Sequence, residues 1–282
     1  MRLTIPASLL SLVASTAHAA PASWTAPQAP FRIVGNVYYV GTEGIAAYLI
    51  VDRKRMILID GTPAESAGVV LDNIRTLGFD PKNLRYLLNN HAHWDHAGGL
   101  AAIRGVTRAK LVASSRDREV LKRGSDLARP DVGNFPPVGV DRSIGDGDKV
   151  RLGGTRLTAH LTPGHTKGCT SWSMTTTEGI RKVEILFACS LTVAGQNLIN
   201  DRAYRQAAGD FRQSLATLKR MRADVFLTFH SEFFDMAGKR RRQMAGDRDA
   251  FIDPYELRRQ VDRAEAAFDA ELARQEAAVR PE

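Results

Sequence analysis

The sequence predicts an α/β fold in which two sheets pack against each other and carry helices on their outer faces. Short apolar runs typical of strands occur in both halves of the 282-residue chain, and helix signals follow them. This order in both halves is typical of a layered domain. The roughly 250 residues that follow the first 30 suit one two-layered domain or two tightly packed halves.

In the first half, three apolar runs separated by turn residues predict a strand meander at 37–40, 46–51 and 56–59. Thr62 is then expected to cap a helix, with Pro63 in its first turn, Glu65 completing a capping box, and Gly78 ending it. A strand at 86–88 comes next, and small residues at 97–99 are expected to open a second helix where the backbone passes close to a metal.

The second half repeats this pattern. Strands are predicted at 149–152, 155–161, 170–174, 183–188 and 224–229, with a helix from about Asp210 to Arg220 before the last of them. A terminal helix is expected to open at 253–256. Its apolar residues recur at helical spacing: Leu257, Val261, Ala264, Phe268 and Leu272.

The N-terminus has the features of a secretory signal. Arg2 supplies a positive charge, an apolar stretch follows it, and Ala17-His18-Ala19 offers a cleavage site. We therefore expect a signal peptide at 1–19, a flexible Pro-rich lead-in at 20–30, and a folded domain at 31–282. The mature protein is expected in the periplasm.

The charge pattern argues against a nucleic-acid partner. The formal net charge of +8 is spread along the chain, and the one dense run, Lys239 to Arg242, lacks interleaved aromatics and is typical of a solvated face. No further apolar run predicts a membrane span. We expect a monomer that acts on a small molecule, and its basic charge would mildly attract anionic substrates.

The hexapeptide His91-Ala92-His93-Trp94-Asp95-His96 places three imidazoles and a carboxylate together. Nitrogen and oxygen donors at this density suit zinc better than calcium or magnesium. The alternative is a polar loop whose side chains are satisfied by solvent. His165 follows a turn that closes an apparent strand, and His230 ends another apolar run. Both histidines are therefore placed as further ligands.

The two cysteines, Cys169 and Cys189, admit two interpretations. In an exported protein they are expected to form a disulfide, since both lie near the ends of neighbouring strands. The alternative is that one of them is a thiolate ligand of zinc.

His-x-His-x-Asp-His resembles the signature of the metallo-β-lactamase superfamily. The resemblance implies a four-layer αβ/βα sandwich with a zinc site at one edge of its sheets. It also implies two zinc ions per chain, with the ligands divided between them: His91, His93 and His165 for one, and Asp95, His96 and His230 for the other.

One position favours the β-lactamase branch over the thioesterases and lactonases. Those relatives have an aspartate that bridges both zinc ions, whereas this chain has Ser190. The first two β-lactamase subclasses use cysteine at the second zinc, and the third has serine there. Residues 162–172 and 251–257 also resemble the third subclass, although Lys167 stands where proline is common.

The resemblance implies hydrolysis of a β-lactam by a hydroxide that Asp95 orients, with Ser190 and Thr192 binding the substrate carboxylate. Gln196 and Asn197 lie near the place of a tyrosine found in some relatives. A lactonase or thioesterase is the main alternative, and a zinc-stabilised binding module without turnover is a third. Loops such as 129–141 are expected to decide the preference among β-lactams.

Overall fold

A computed structural model describes residues 20 to 279, which form two sheets. The first has seven strands in sequential order: β1 Phe31–Val34, β2 Val37–Tyr39, β3 Tyr48–Asp52, β4 Arg55–Ile59, β5 Leu84–Leu88, β6 Lys110–Ser114 and β7 Arg142–Ile144. The second has the order β12-β11-β10-β9-β8: β8 Lys149–Leu152, β9 Thr155–Leu161, β10 Thr170–Glu178, β11 Arg181–Phe187 and β12 Val225–Leu227.

Within the described residues seven α-helices lie between or after these strands. They are α1 Ala67–Thr76, α2 Trp94–Ala97, α3 Leu100–Thr107, α4 Arg118–Arg123, α5 Ala207–Arg220, α6 Met236–Met244 and α7 Glu256–Val279. Between residues 20 and 279, no helix combines the length and the apolar character needed to cross a membrane.

Alternating side chains divide the core into layers. On β4, Leu58 packs with the α1 and α3 side chains, while Ile59 faces the second sheet. Between the sheets, the rings of Tyr48 and Phe187 lie 5.1 Å apart. Beyond the second sheet, α5 and α7 pack together. The predicted α/β fold with two sheets and outer helices is confirmed.

Most predicted elements are present, but several were missed. The prediction contained no counterpart of β1, β6 or β7, and none of α4 or α6. The terminal helix is confirmed: four of its five predicted apolar residues are buried, and Ala264 packs against them.

The helix predicted to begin at Thr62 begins later, and that prediction is wrong. A single 3-10 turn covers Ala64–Ser66, and α1 starts at Ala67. Thr62 has a φ of +61° and its carbonyl accepts a hydrogen bond from the Gly99 amide at 2.9 Å. A Cβ at Gly99 would lie 2.1 Å from the Gly61 carbonyl oxygen. The small residues at 97–99 therefore allow contact with this backbone segment.

Residues 20–30 do not form the flexible lead-in that was expected. The Trp24 carbonyl accepts from the Thr42 hydroxyl at 2.8 Å, and the Ser23 carbonyl accepts from the Gly44 amide at 2.7 Å. These bonds fix the segment along the first sheet, so the ordered domain begins before β1. The predicted signal peptide at 1–19 lies outside the described residues.

The basic run 239–242 is only partly a solvated face. The Lys239 side chain is 6% exposed and forms an ion pair with Glu256, which is 7% exposed. Burial lowers the pKa of Lys239 and raises that of Glu256, and the attraction between the two charges opposes both shifts. Since Glu256 is the first residue of α7, the pair ties α6 to the terminal helix.

Replacing Glu256 with leucine should destabilise the protein by about 3–5 kcal/mol, because Lys239 would keep a buried charge without its partner. Urea unfolding measures this loss. Arg241→Met is the control, since Arg241 is exposed on α6, the helix that carries Lys239. This substitution should change the free energy of unfolding by less than about 0.5 kcal/mol. Equal effects of the two variants would show that the ion pair contributes nothing.

Candidate metal centre

The six predicted ligands come together at one edge of the two sheets because the strands before them end there. Strands β4 and β5 are parallel, so Asp60 and the hexapeptide 91–96 emerge at the same edge. Strands β11 and β12 are parallel, and β10 is antiparallel to both β9 and β11. His165, Ser190 and His230 therefore follow strands that end on one side of the second sheet.

His91, His93 and His165 form the first group. Their candidate ligand atoms all lie within 4.8 Å of one another, and His93 Nδ1 is 3.2 Å from His165 Nε2. All three rings are buried. His165 Nδ1 donates to the Thr192 carbonyl at 2.7 Å, which turns Nε2 toward the group.

Asp95, His96 and His230 form the second group. Asp95 Oδ2 lies 3.0 Å from His96 Nε2 and 3.3 Å from His230 Nε2, and the two Nε2 atoms are 3.3 Å apart. Asp95 and His96 lie on α2, while His230 follows β12. The His230 side chain is 15% exposed, whereas that of His96 is 1% exposed, so this group opens to solvent on the His230 side.

The spacing of these atoms fits zinc. Two nitrogen ligands at 2.0–2.1 Å in a tetrahedral shell lie about 3.3 Å apart, which matches the 3.2 Å and 3.3 Å separations in the two groups. Among the described residues, His91 Nε2 is buried and has no hydrogen-bond partner. Buried polar atoms normally have one. Three protein donors in each group would leave positions open for a reacting molecule, as catalytic zinc sites do.

The first group is electrically neutral without a metal. Burial lowers the pKa of His91 and of His93 well below its usual range, and neighbouring imidazoles lower each further. Burial also lowers the pKa of His165 to about 4. These rings therefore carry free lone pairs at neutral pH, as metal binding requires.

The second group is charged. Burial alone would raise the pKa of Asp95, but the His96 charge outweighs it and holds that pKa well below its usual range. Burial alone would lower the pKa of His96, but the Asp95 and Asp60 carboxylates raise it to about 10. A metal bound here would displace a proton from His96, so its affinity should fall as the pH falls.

Asp60 supports both groups, a role that was not predicted from the sequence. It is fully buried, its Oδ2 lies 3.4 Å from His96 Nδ1, and its Oδ1 accepts from the Asn90 amide at 2.9 Å. The Asn90 side chain in turn contacts His91 Nδ1. Burial raises the pKa of Asp60 to about 6, although His96 opposes the shift. The available signal was an acidic residue directly after an apolar strand.

Asp60→Ala should weaken metal binding at the second group by about 10- to 100-fold, because His96 would lose the carboxylate that orients it. Competition with a chromophoric chelator measures this affinity. Asp72→Ala is the control, since Asp72 is an exposed carboxylate on α1. Unchanged chelator competition in Asp60→Ala would show that Asp60 does not orient the metal centre.

Cys169 and Cys189 form a disulfide with a Cα–Cα distance of 5.8 Å, which confirms the predicted pairing. The bond joins the loop after His165 to the end of β11. It lies beneath the first group, where Cys189 Sγ is 3.4 Å from the Asn90 carbonyl oxygen. A disulfide sulfur carries no thiolate charge, so the alternative of a cysteine ligand loses its basis.

The predicted substrate-binding hydroxyls lie beside the first group. Ser190 Oγ is 3.0 Å from Thr192 Oγ1, which lies 3.5 Å from His165 Nδ1. Gln196 is buried and Asn197 is exposed on the same loop, and neither supplies a phenol. Lys167 is exposed, and its Nζ lies 5.5 Å from the centre of the Tyr204 ring.

The Trp24 ring lies beside the second group, a position that was not predicted from the sequence. It meets the His230 ring edge-on at 4.9 Å and lies 5.8 Å from the Trp94 ring. Trp94 itself packs against the core of the first sheet. The segment 20–30 therefore borders the second group.

The fold has two sheets with outer helices, and two candidate metal-binding groups lie at the shared edge of the sheets. These features are those of a metal-dependent hydrolase. The chain belongs to the metallo-β-lactamase superfamily, whose family model matches residues 40–230. Among solved structures, the chain is similar to BJP-1, a subclass B3 metallo-β-lactamase of Bradyrhizobium japonicum. The two are 43% identical with a TM-score of 0.87, and the match covers 92% of this chain and 99% of that chain.

Curated relatives are more distant and shorter in overlap. A hydroxyacylglutathione hydrolase of Maricaulis maris is 32% identical over 38% of this chain and 35% of that protein. An N-acyl homoserine lactonase of a Bacillus species is 27% identical over 55% of this chain and 57% of that protein. The chain spans between about a third and just over half of the length of these two curated relatives.

Proposed function

We propose that the protein is an exported, periplasmic β-lactamase that holds two zinc ions per chain and hydrolyses the amide bond of β-lactam antibiotics as a monomer. The observation that carries this proposal is Ser190 at the end of β11, next to an intact set of six ligands. Ser190 occupies the place at which thioesterases and lactonases are expected to have a bridging aspartate. The likeness to BJP-1 along nearly the whole chain supports it.

In this function the bound zinc and the side chains around it have distinct tasks. Bound zinc supplies Lewis acidity toward the lactam carbonyl and lowers the pKa of water. The Asp95 carboxylate stays ionised, so it can accept a hydrogen bond from the attacking water and orient it. The hydroxyls of Ser190 and Thr192 can donate hydrogen bonds to the substrate carboxylate. The Thr192 carbonyl holds His165 in the orientation that ligation requires.

The zinc-loaded protein should hydrolyse at least one of a penicillin, a cephalosporin and a carbapenem. Chelators should abolish turnover, whereas inhibitors that acylate a serine nucleophile should have no effect. Asp95→Ala should lower kcat by orders of magnitude, and Ser190→Ala should mainly raise KM because it removes a contact to the substrate carboxylate. Steady-state kinetics with defined zinc, together with elemental analysis for two zinc ions per chain, measure these outcomes.

A lactonase or thioesterase is the second candidate, and the curated relatives favour it. The same assay should therefore include an acyl homoserine lactone and a glutathione thioester. Efficient cleavage of either, with all β-lactams untouched, would contradict the β-lactamase proposal. No turnover of any ester or amide would favour a zinc-stabilised binding module. For export, the mature N-terminus of the periplasmic protein should be Ala20.

A further inference from the structure

Arg129 is a buried arginine at the rim of the metal centre. It lies in the segment between α4 and β7, directly before the 3-10 turn Pro130–Val132, and only 8% of the residue is exposed. Arginine is rarely buried to this extent unless its charge is paired. In the first group, burial and the neighbouring His165 ring lower the pKa of His93, and the positive charge of Arg129 lowers it further.

The guanidinium joins two loops that flank the site. Nε and Nη2 donate to the Asp131 carboxylate at 2.9 Å and 2.7 Å, and Nη2 also donates to the Ala194 carbonyl at 2.9 Å. The Asp131 side chain is 60% exposed, so the charge of Arg129 is balanced from the solvent side. Nη1 is buried and has no hydrogen-bond acceptor among residues 20–279.

Ala194 lies in a turn that needs external support. The Gln196 amide donates to the Val193 carbonyl at 3.0 Å, which closes a turn with Ala194 at φ +49° and Gly195 at φ +73°. Positive φ values at both central residues suit glycine or asparagine, and alanine is unfavourable there. The Arg129 bond to the Ala194 carbonyl holds this turn from outside the loop.

The same loop carries groups that serve the metal centre. Thr192, two residues before Ala194, accepts the Nδ1–H of His165 through its carbonyl and pairs its hydroxyl with Ser190. On its far side the loop is fixed by Gln275 of α7, which donates to the Gln196 carbonyl at 2.9 Å and accepts from the Leu198 amide at 2.7 Å. Arg129 supplies the corresponding support on the side of the metal centre.

We propose that Arg129 is a positioning residue. By holding the Ala194 carbonyl, it fixes the loop of residues 190–196 so that the Thr192 carbonyl meets His165 and the hydroxyl pair faces the substrate carboxylate. The part that concerns the substrate rests on the proposed function. The part that concerns the loop and His165 does not, because it depends only on contacts within the protein.

The loop is tested first, by hydrogen–deuterium exchange on the full chain. Arg129→Met keeps the length of the side chain but removes every donor, so exchange at the Gln196 amide should become at least about tenfold faster, equivalent to about 1.4 kcal/mol. Arg123→Met is the matched control, because Arg123 is exposed on α4 and makes no side-chain hydrogen bond within the described part of the chain. Unchanged exchange at Gln196 in a folded Arg129→Met protein would overturn the proposal.

Arg129→Lys keeps the charge but has a single donor nitrogen in place of the guanidinium fork, so it should give an intermediate rate. It decides the question if Arg129→Met does not fold: exchange as slow as in the unaltered protein would show that the guanidinium is not what holds the turn.

Kinetics then test the link to the hydroxyl pair. With a β-lactam that the unaltered protein hydrolyses as substrate, and with zinc at saturation so that His165 stays ligated, Arg129→Met should raise KM about tenfold and change kcat by less than about threefold. In a Ser190→Ala/Thr192→Ala background the same substitution should raise KM less than about twofold, because no hydroxyls remain to be positioned. A full effect of Arg129→Met in that background would overturn the positioning role. If no β-lactam is hydrolysed at all, the proposed function fails, while the exchange measurement still decides whether Arg129 holds the loop.

Discussion

The metal centre depends on the alignment of two sheets whose strands end at one shared edge. Main-chain hydrogen bonds hold this alignment: beside the hexapeptide the Thr170 amide donates to the Asn90 carbonyl at 2.7 Å, and beside His230 the Ala46 amide donates to the Phe229 carbonyl at 2.9 Å. The disulfide lies against the Asn90 carbonyl. One residue of strand slip moves the chain by about 3.3 Å, as much as the 3.2 Å that separates His93 from His165. The first group therefore requires this register.

The electrostatics of the centre follow from its burial. Histidine rings of the first group are kept neutral by desolvation, whereas His96 is held between two carboxylates, Asp95 and Asp60. Two groups only a few ångströms apart therefore offer a cation different surroundings. The first offers neutral nitrogen donors, and the second offers the Asp95 carboxylate beside a protonated His96.

The sequence was sufficient to predict that these six side chains come together, because the hexapeptide carries four of them and His165 and His230 each follow a strand or turn signal. It did not reveal Asp60, because the role of this carboxylate depends on β4 lying beside β5. The predicted helix start at Thr62 was wrong for a similar reason. The capping pattern is local, whereas the contact of Thr62 with Gly99 forms only in the tertiary structure.

Errors about flexibility and solvation have the same origin. Proline-rich composition suggested a mobile lead-in, but its carbonyls accept hydrogen bonds from residues of the folded domain such as Thr42. Lys239 was expected at the surface with its basic neighbours, but Glu256, 17 residues further along the chain, pairs with it. Local patterns thus located strands, helices and candidate ligands, whereas the residues that support the candidate ligands depend on contacts that are distant in sequence.

We expect the six side chains to form two adjacent metal sites, each with three protein ligands. Anomalous X-ray scattering at the zinc edge, from crystals of the zinc-saturated protein, tests this expectation most directly. We expect two peaks, one among His91, His93 and His165 and the other among Asp95, His96 and His230. A single peak at full zinc saturation, or metal bound away from these residues, would contradict it.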